Sequence, residues 1–442
     1  MRTGKRSAAG AVFAAILTIA APAGAGADEA PVDVGPTLQA IRAEAGIPAV
    51  ATAITRSGRV RAAGIAGRRR ADRDDPAEIG DRFHIGSDTK ATTAFVAASL
   101  IEGRSPIPLR PGARLGWETT VGEVYPELVP TMVRGFRDIT LRQLLSHTSG
   151  IAKDGDRILP FLGFDIAEGP LDTDEMRDRM VTKLVTMPLS HPPGETFEYA
   201  NFGYILAGAM MERLTGVTFE ELLVGVVFEP LGLGSAGLAS QAEPARMDAA
   251  VGHDMRDGNP FPILFGPYAG LPPIMNPAGG AYMNVLDFAR WADYQATRGR
   301  NGPPLLASET IAMLQTPIVD MPENPHPTPG FSKASRYGLG WGTLAADFAP
   351  EPLVLHAGSN SLDLAFIMLL PAEGVAIVTM ADVEAETTAA ALVKVAAELY
   401  ATDAKAPRRP TRVTNAAPSA TRRPVGRGAS WVARRSSRSP RS

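Results

Sequence analysis

Phe83-His84-Ile85-Gly86-Ser87-Asp88-Thr89-Lys90 decides how this chain is read, because it leads from an apolar run through a glycine into a helix start. In a helix, residues three apart share a face, so the Ser87 hydroxyl and the Lys90 amine can meet. Serine is a weak nucleophile until a neighbouring base takes its proton. A lysine serves when burial and the positive helix N-terminus disfavour its ammonium form. Ala94, Phe95, Ala97, Ala98 and Leu100 predict that this helix is buried. The chain has seven lysines, at 5, 90, 153, 183, 333, 394 and 405, and just Lys90 has a serine three residues before it. Spacing alone leaves open a Ser and a Lys on an exposed helix surface.

Two further patterns carry hydrogen-bonding groups. Tyr199-Ala200-Asn201 stands before a helical face of Phe202, Ile205, Leu206, Ala209 and Met210 that ends at Gly216. A tyrosine near a lysine can relay protons, and an asparagine can hold the amine or donate to a substrate carbonyl. A core aromatic followed by a helix cap fits the same letters, and Tyr282-Met283-Asn284 repeats them. His356-Ala357-Gly358-Ser359 follows an apolar run at 353–355, where a glycine lets a substrate backbone approach a strand edge. The amides of Ser87 and Ser359 together would form an oxyanion hole, whose loss typically costs about 100- to 1000-fold in rate. A structural histidine before a turn is the alternative, and His84-Ile85-Gly86 is a rival for the pattern.

Around these motifs, Leu38, Ile41 and Ala45 make a short helical face ending at Gly46. Residues 49–54 and 60–66 flank Arg56-Ser57-Gly58-Arg59, which reads as a hairpin, and the charged stretch 68–75 reads as a solvated loop. From 141 to about 294, helical segments alternate with Pro and Gly breaks and include a loop-like region at 152–193. Runs at 353–355, 365–370 and 375–380, the last two separated by Pro371-Ala372-Glu373-Gly374, predict an antiparallel meander. A closing helix shows Ala389, Leu392, Val393, Ala396, Ala397 and Tyr400 on one face. The expected fold is α/β of the α+β type: an antiparallel sheet from about 34–86 and 335–401, flanked by helices, plus a mostly helical region at about 87–334.

Taken in order, the three motifs resemble the serine β-lactamase and penicillin-binding protein superfamily, in its class C β-lactamase-like branch of esterases, peptidases and lactamases. Leu144-Leu145-Ser146-His147-Thr148-Ser149-Gly150, Pro193-Gly194-Glu195, Pro277-Ala278-Gly279-Gly280 and Tyr337-Gly338-Leu339-Gly340-Trp341-Gly342 also look like that branch. The resemblance runs from about Val34 to Ala401. It selects Tyr199 over Tyr282 and His356 over His84. It implies Ser87 as nucleophile, Lys90 and Tyr199 sharing proton transfer, and Asn201, His356, Gly358 and Ser359 as substrate-binding residues, with no metal and no cofactor. Typical class C β-lactamases carry Lys-Thr-Gly at the third motif, where the charge and hydroxyl help hold a carboxylate. A histidine with an ordinary pKa of about 6.5 is largely neutral at pH 7, and alanine has no hydroxyl. His-x-Gly occurs in DD-peptidases, D-amino-acid peptidases and esterases of the branch. The implied activity is therefore ester or amide hydrolysis. The alternatives are a β-lactamase or DD-carboxypeptidase, or an inactive cell-wall-related binding protein.

The two ends of the chain differ from its body. Residues 1–27 run from Arg2, Lys5 and Arg6 through a small apolar stretch to Ala25-Gly26-Ala27, the order of a secretory signal peptide. An exported protein, periplasmic or secreted, is expected. Lys405 to Ser442 holds eleven Lys or Arg and no Asp or Glu, mixed with Pro, Ser and Gly, which predicts a disordered tail from about 404 onward. With a whole-chain charge of −3, the part before that tail carries −14. An acidic exported body argues against nucleic acid as a partner. The absence of cysteine excludes disulfides and Cys-ligated metals. No stretch after residue 27 is long and apolar enough to span a membrane.

Overall fold

Residues 49–56 and 59–67 pair because Ser57 and Gly58 both take positive φ, 51° and 89°, the turn geometry that matches strand twist. This hairpin belongs to a nine-stranded sheet in a computed structural model that describes residues 30–154, 173–242, 248–264 and 269–405. The expected signal peptide, the tail beyond 405 and residues 155–172 of the loop expected at 152–193 lie outside the described residues. In chain order the strands are β1 (Val32–Asp33), β2 (Ala49–Arg56), β3 (Arg59–Gly67), β4 (Arg82–His84), β5 (Gly237–Leu238), β6 (His253–Arg256) and β7 (Asn259–Pro262). They continue as β8 (Ala281–Asn284), β9 (Val319–Asp320), β10 (Phe331–Tyr337), β11 (Gly342–Ala346), β12 (Leu353–Ser359), β13 (Leu364–Leu370) and β14 (Val375–Ala381). The helices that position the site are α1 (Gly35–Ala45), α2 (Thr89–Ile101), α3 (Thr173–Leu184), α4 (Asn201–Thr215), α5 (Val285–Ala296) and α6 (Glu386–Lys405).

The large sheet has the order β1-β3-β2-β14-β13-β12-β11-β10-β9, antiparallel throughout except where β1 meets β3. Its N-terminal and C-terminal strands join where β2 pairs with β14, from Val50↔Ala381 to Arg56↔Val375. Both faces are covered, so the central strands read as continuous apolar runs instead of alternating. On β13, Ala365, Ile367 and Leu369 enter one core, and Leu364, Phe366, Met368 and Leu370 enter the other. The second core is closed by Leu38 and Ile41 of α1 and by Leu392, Val395, Ala396 and Leu399 of α6. The helical part of the chain closes the first. The expected α+β architecture of antiparallel sheet and helices is thus the observed one, and the described residues up to Ala404 form one compact unit. No helix of the described residues is long and apolar enough to cross a membrane.

Local expectations differ from the structure in three places. Within the stretch read as loop, α3 forms and is held by Arg177, which is fully buried and bonded to Glu212 and Glu220. Its polar composition hid it, because its buried side includes a paired arginine beside Met176, Met180 and Val181. The charged stretch 68–75 is not fully solvated: Arg70 is buried and Arg69 makes a two-point bond to buried Asp81. On α6 the buried face runs through Leu392, Val395 and Leu399, while Ala397 and Tyr400 lie at its margin.

The helix after Ser87 is enclosed on all sides, Thr89 through Leu100 being buried, so it carries Lys90 into the interior. Small residues permit this. A Cβ on Gly340 would lie 2.8 Å from the Lys90 carbonyl oxygen, and one on Gly208 of α4 would lie 2.5 Å from the Pro277 ring. The first lets the turn before β11 reach α2, and the second lets α4 close on the Pro277-Ala278 segment.

Candidate active site

β11 pairs with β12 only as far as Leu355, so residues 356–359 form an edge that β11 leaves open. The turn Gly86–Asp88 packs against this edge, and two glycines make the approach possible. A Cβ on Gly358 would lie 1.9 Å from the Ile85 carbonyl oxygen and 2.7 Å from the Asp88 nitrogen. One on Gly86, whose φ is +48°, would lie 2.3 Å from the Ser359 nitrogen. The Ser359 amide therefore stands directly beside the turn that carries Ser87, and Ser87 stays partly exposed. Gly358→Ala must push β12 off the turn, because the atoms it meets are backbone. It is expected to lower kcat by at least about 100-fold, measured on a p-nitrophenyl ester with an unchanged far-ultraviolet spectrum.

Lys90 is fully buried, and its Nζ makes three contacts: Ser87 Oγ at 3.0 Å, Asn201 Oδ1 at 2.7 Å and the Ala278 carbonyl oxygen at 2.6 Å. Burial pulls the ammonium pKa down to about 7, against the opposing influence of Asp154 and Asp88. Tyr199 lies on the same cluster, with Lys90 Nζ 4.8 Å from its ring centre and its hydroxyl in contact with Ser87. Burial raises the phenol well above its ordinary value, and the bond to Ser87 offsets part of that.

The cap of α4 is not Asn201, which is the first residue of the helix. Asp154 accepts the amides of Asn201 and Phe202 at 2.9 and 3.3 Å and so frees the Asn201 side chain for Lys90. The other Tyr-x-Asn is structural: Tyr282 sits in β8, and Asn284 caps α5 by accepting the Asp287 amide at 2.9 Å. His84 is likewise structural, being fully buried in β4 with Nδ1 accepting the Gly86 amide.

His356 is 6% exposed and both its ring nitrogens are occupied. Nδ1 lies 2.8 Å from the Ala357 carbonyl oxygen and Nε2 lies 3.1 Å from the Tyr337 hydroxyl. A carbonyl can only accept, so Nδ1 carries the proton and Nε2 accepts from Tyr337. Burial, with Lys90 adding to it, lowers the His356 pKa to about 3, so the ring is neutral. Its place is behind the open edge, where it braces Ala357 and Tyr337. Asp88, fully buried and 3.5 Å from His356 Nδ1, has no bonding partner for either carboxyl oxygen, and burial raises its pKa well above the usual carboxylate range, against the opposing influence of Lys90.

The structure thus brings Ser87, Lys90, Tyr199, Asn201, Gly358 and Ser359 together, with His356 one layer behind. It adds residues that the motif reading passed over. His147 stacks on Tyr199 at 4.2 Å and accepts the Ala200 amide at 3.2 Å, while Tyr337 and Phe197 complete an aromatic wall around it. His147, Ala278 and Tyr337 lie in the segments that carried the resemblance, which was the available signal. For Asp154 no local signal existed.

A Ser-x-x-Lys turn set against the open edge of a helix-covered antiparallel sheet is the architecture shared by penicillin-binding and β-lactamase-like proteins. The Beta-lactamase family model matches residues 36–402, and the chain belongs to that family. Among curated proteins it is 28% identical over 307 residues to the unguisins hydrolase ungD' of Aspergillus campestris, covering 68% of this chain and 52% of that protein. It is 26% identical to penicillin-binding protein 4 of Amycolatopsis lactamdurans, covering 66% of this chain and 70% of the relative. The chain therefore spans about half the length of the Aspergillus protein. The fold is similar to that of an octameric penicillin-binding protein homologue from Pyrococcus abyssi, with a TM-score of 0.65 at 24% identity over 83% of this chain and 77% of that one.

Proposed function

We propose that this family member is an exported serine hydrolase that cleaves an ester or amide bond through an acyl-enzyme on Ser87. The observation that carries the reading is the set of three contacts at Lys90 Nζ. A neutral amine has two N–H groups and one lone pair. Asn201 Oδ1 and the Ala278 carbonyl can only accept, so they take the two N–H groups and leave the lone pair facing the Ser87 hydroxyl. With a pKa of about 7, a large share of the amine is neutral at physiological pH, the form a base requires.

In this reading Lys90 accepts the Ser87 proton as Oγ attacks the substrate carbonyl. The developing oxyanion is held by the amides of Ser87 and Ser359. Tyr199, a protonated phenol touching Ser87, passes a proton to the leaving group and recovers one from Lys90. Water then enters by the reverse route and releases the acid. Binding of substrate along residues 357–359 is supported by the open edge of β12. An ester or peptide-like substrate is favoured over an efficiently hydrolysed β-lactam, because His356 is neutral and turned inward and Ala357 has no hydroxyl. The relatives' names, a hydrolase and a penicillin-binding protein, are compatible with this chemistry, and the N-terminal sequence supports export.

A fluorophosphonate tests the reading directly. Intact-mass measurement is expected to show a single adduct on the wild-type protein, located at Ser87, and none on Ser87→Ala. An unlabelled wild-type chain would identify a family member that keeps the fold without the chemistry.

A further inference from the structure

Glu384 stands just after β14 and is exposed, yet its Oε2 accepts a 2.5 Å hydrogen bond from the Ser359 hydroxyl. That hydroxyl also accepts the Ser361 amide at 2.7 Å, so its position is fixed from both sides. A charge-assisted bond of this length holds the carboxylate one residue away from the amide that adjoins the Ser87 turn. Among the described residues no lysine, arginine or histidine forms an ion pair with Glu384, whose side chain is exposed. The strand that carries Ser359 supplies no cation: residues 353–363 contain neither Lys nor Arg, and His356 is neutral. Glu384 thus places a carboxylate beside the residue that supplies the candidate oxyanion amide.

We propose that Glu384 is a specificity-determining residue that recognises a positively charged ammonium on the acyl part of the substrate, which makes α-amino acyl amides or esters the preferred class. This rests on Ser87 being the nucleophile. An α-ammonium is fixed two bonds from the scissile carbonyl carbon. When the carbonyl oxygen docks on the Ser359 amide, the charge is held close to the carboxylate hydrogen-bonded to that residue. An N-acylated substrate lacks the charge, and an N-succinylated one meets repulsion.

The test compares kcat/KM for the p-nitroanilides of D- and L-alanine with those of their N-acetyl and N-succinyl derivatives. It uses wild type, Glu384→Gln and Glu384→Lys, with fluorophosphonate labelling of Ser87 measured in parallel. Wild type is expected to favour a free-amine compound by about tenfold or more. The ratio should fall toward one in Glu384→Gln and turn toward the succinylated compound in Glu384→Lys. Three results overturn the inference while leaving the hydrolase reading intact, provided Ser87 is labelled: an unchanged ratio in both variants, a wild-type preference for the acylated compounds, or no turnover of any free-amine compound. Absence of labelling at Ser87 removes both readings together.

Discussion

Ser87→Ala is expected to lower turnover of a p-nitrophenyl ester by roughly a hundred-thousandfold, leaving only the rate that binding and oxyanion contacts support without a nucleophile. The substitution removes a single partly exposed oxygen. It leaves the turn Gly86–Asp88 and its glycine contacts with β12 in place. Stability should change little, so the loss would report chemistry and not unfolding. The measurement is single-turnover kinetics with the ester on protein that shows a wild-type melting curve. Retained turnover in this variant would remove Ser87 from the reaction and with it the proposed mechanism.

Lys90→Met should cost about 1000-fold in kcat, in the range of a lost general base. Methionine keeps the apolar stem but cannot accept the Ser87 proton, and it leaves Asn201 Oδ1 and the Ala278 carbonyl without their donor. The diagnostic readout is the pH profile. The Lys90 pKa is lowered, so below about 7 the ammonium has no lone pair to offer and above it the amine is free. For wild type, kcat/KM is expected to rise with pH through that value and then level off. The raised pKa of Tyr199 keeps the phenol protonated across the plateau. Residual activity in Lys90→Met should lose the acid limb, and a limb that survives would assign the titration to another group.

The fold was legible wherever burial was two-sided or a turn had a distinct signature. Ser57-Gly58 announced the β2–β3 hairpin, Gly46 and Gly216 marked the ends of α1 and α4, and unbroken apolar runs gave β13 and β14. α3 was hidden because periodicity counts apolar residues, and an arginine buried against two glutamates does not register as core. At the site, a spacing of three residues from the turn Gly86–Asp88 into the first turn of α2 was enough to bring residue 90 back to residue 87. The identity of the α4 cap was not readable, since Asp154 lies 47 residues before the backbone it serves. The Ala278 carbonyl is a main-chain group that no side-chain pattern reveals. His356 shows the converse limit: its letter matched a substrate-facing motif, while the Tyr337 bond that turns it inward depends on two strands whose register is set by the whole sheet.

The pairing of β2 with β14 also governs when this protein can become reactive. During synthesis the hydroxyl at 87 emerges long before the strand that supplies the Ser359 amide, and the sheet centre cannot close until residues 375–381 arrive. Contacts so distant along the chain form slowly. The nascent polypeptide thus stays open and chemically silent through most of its production.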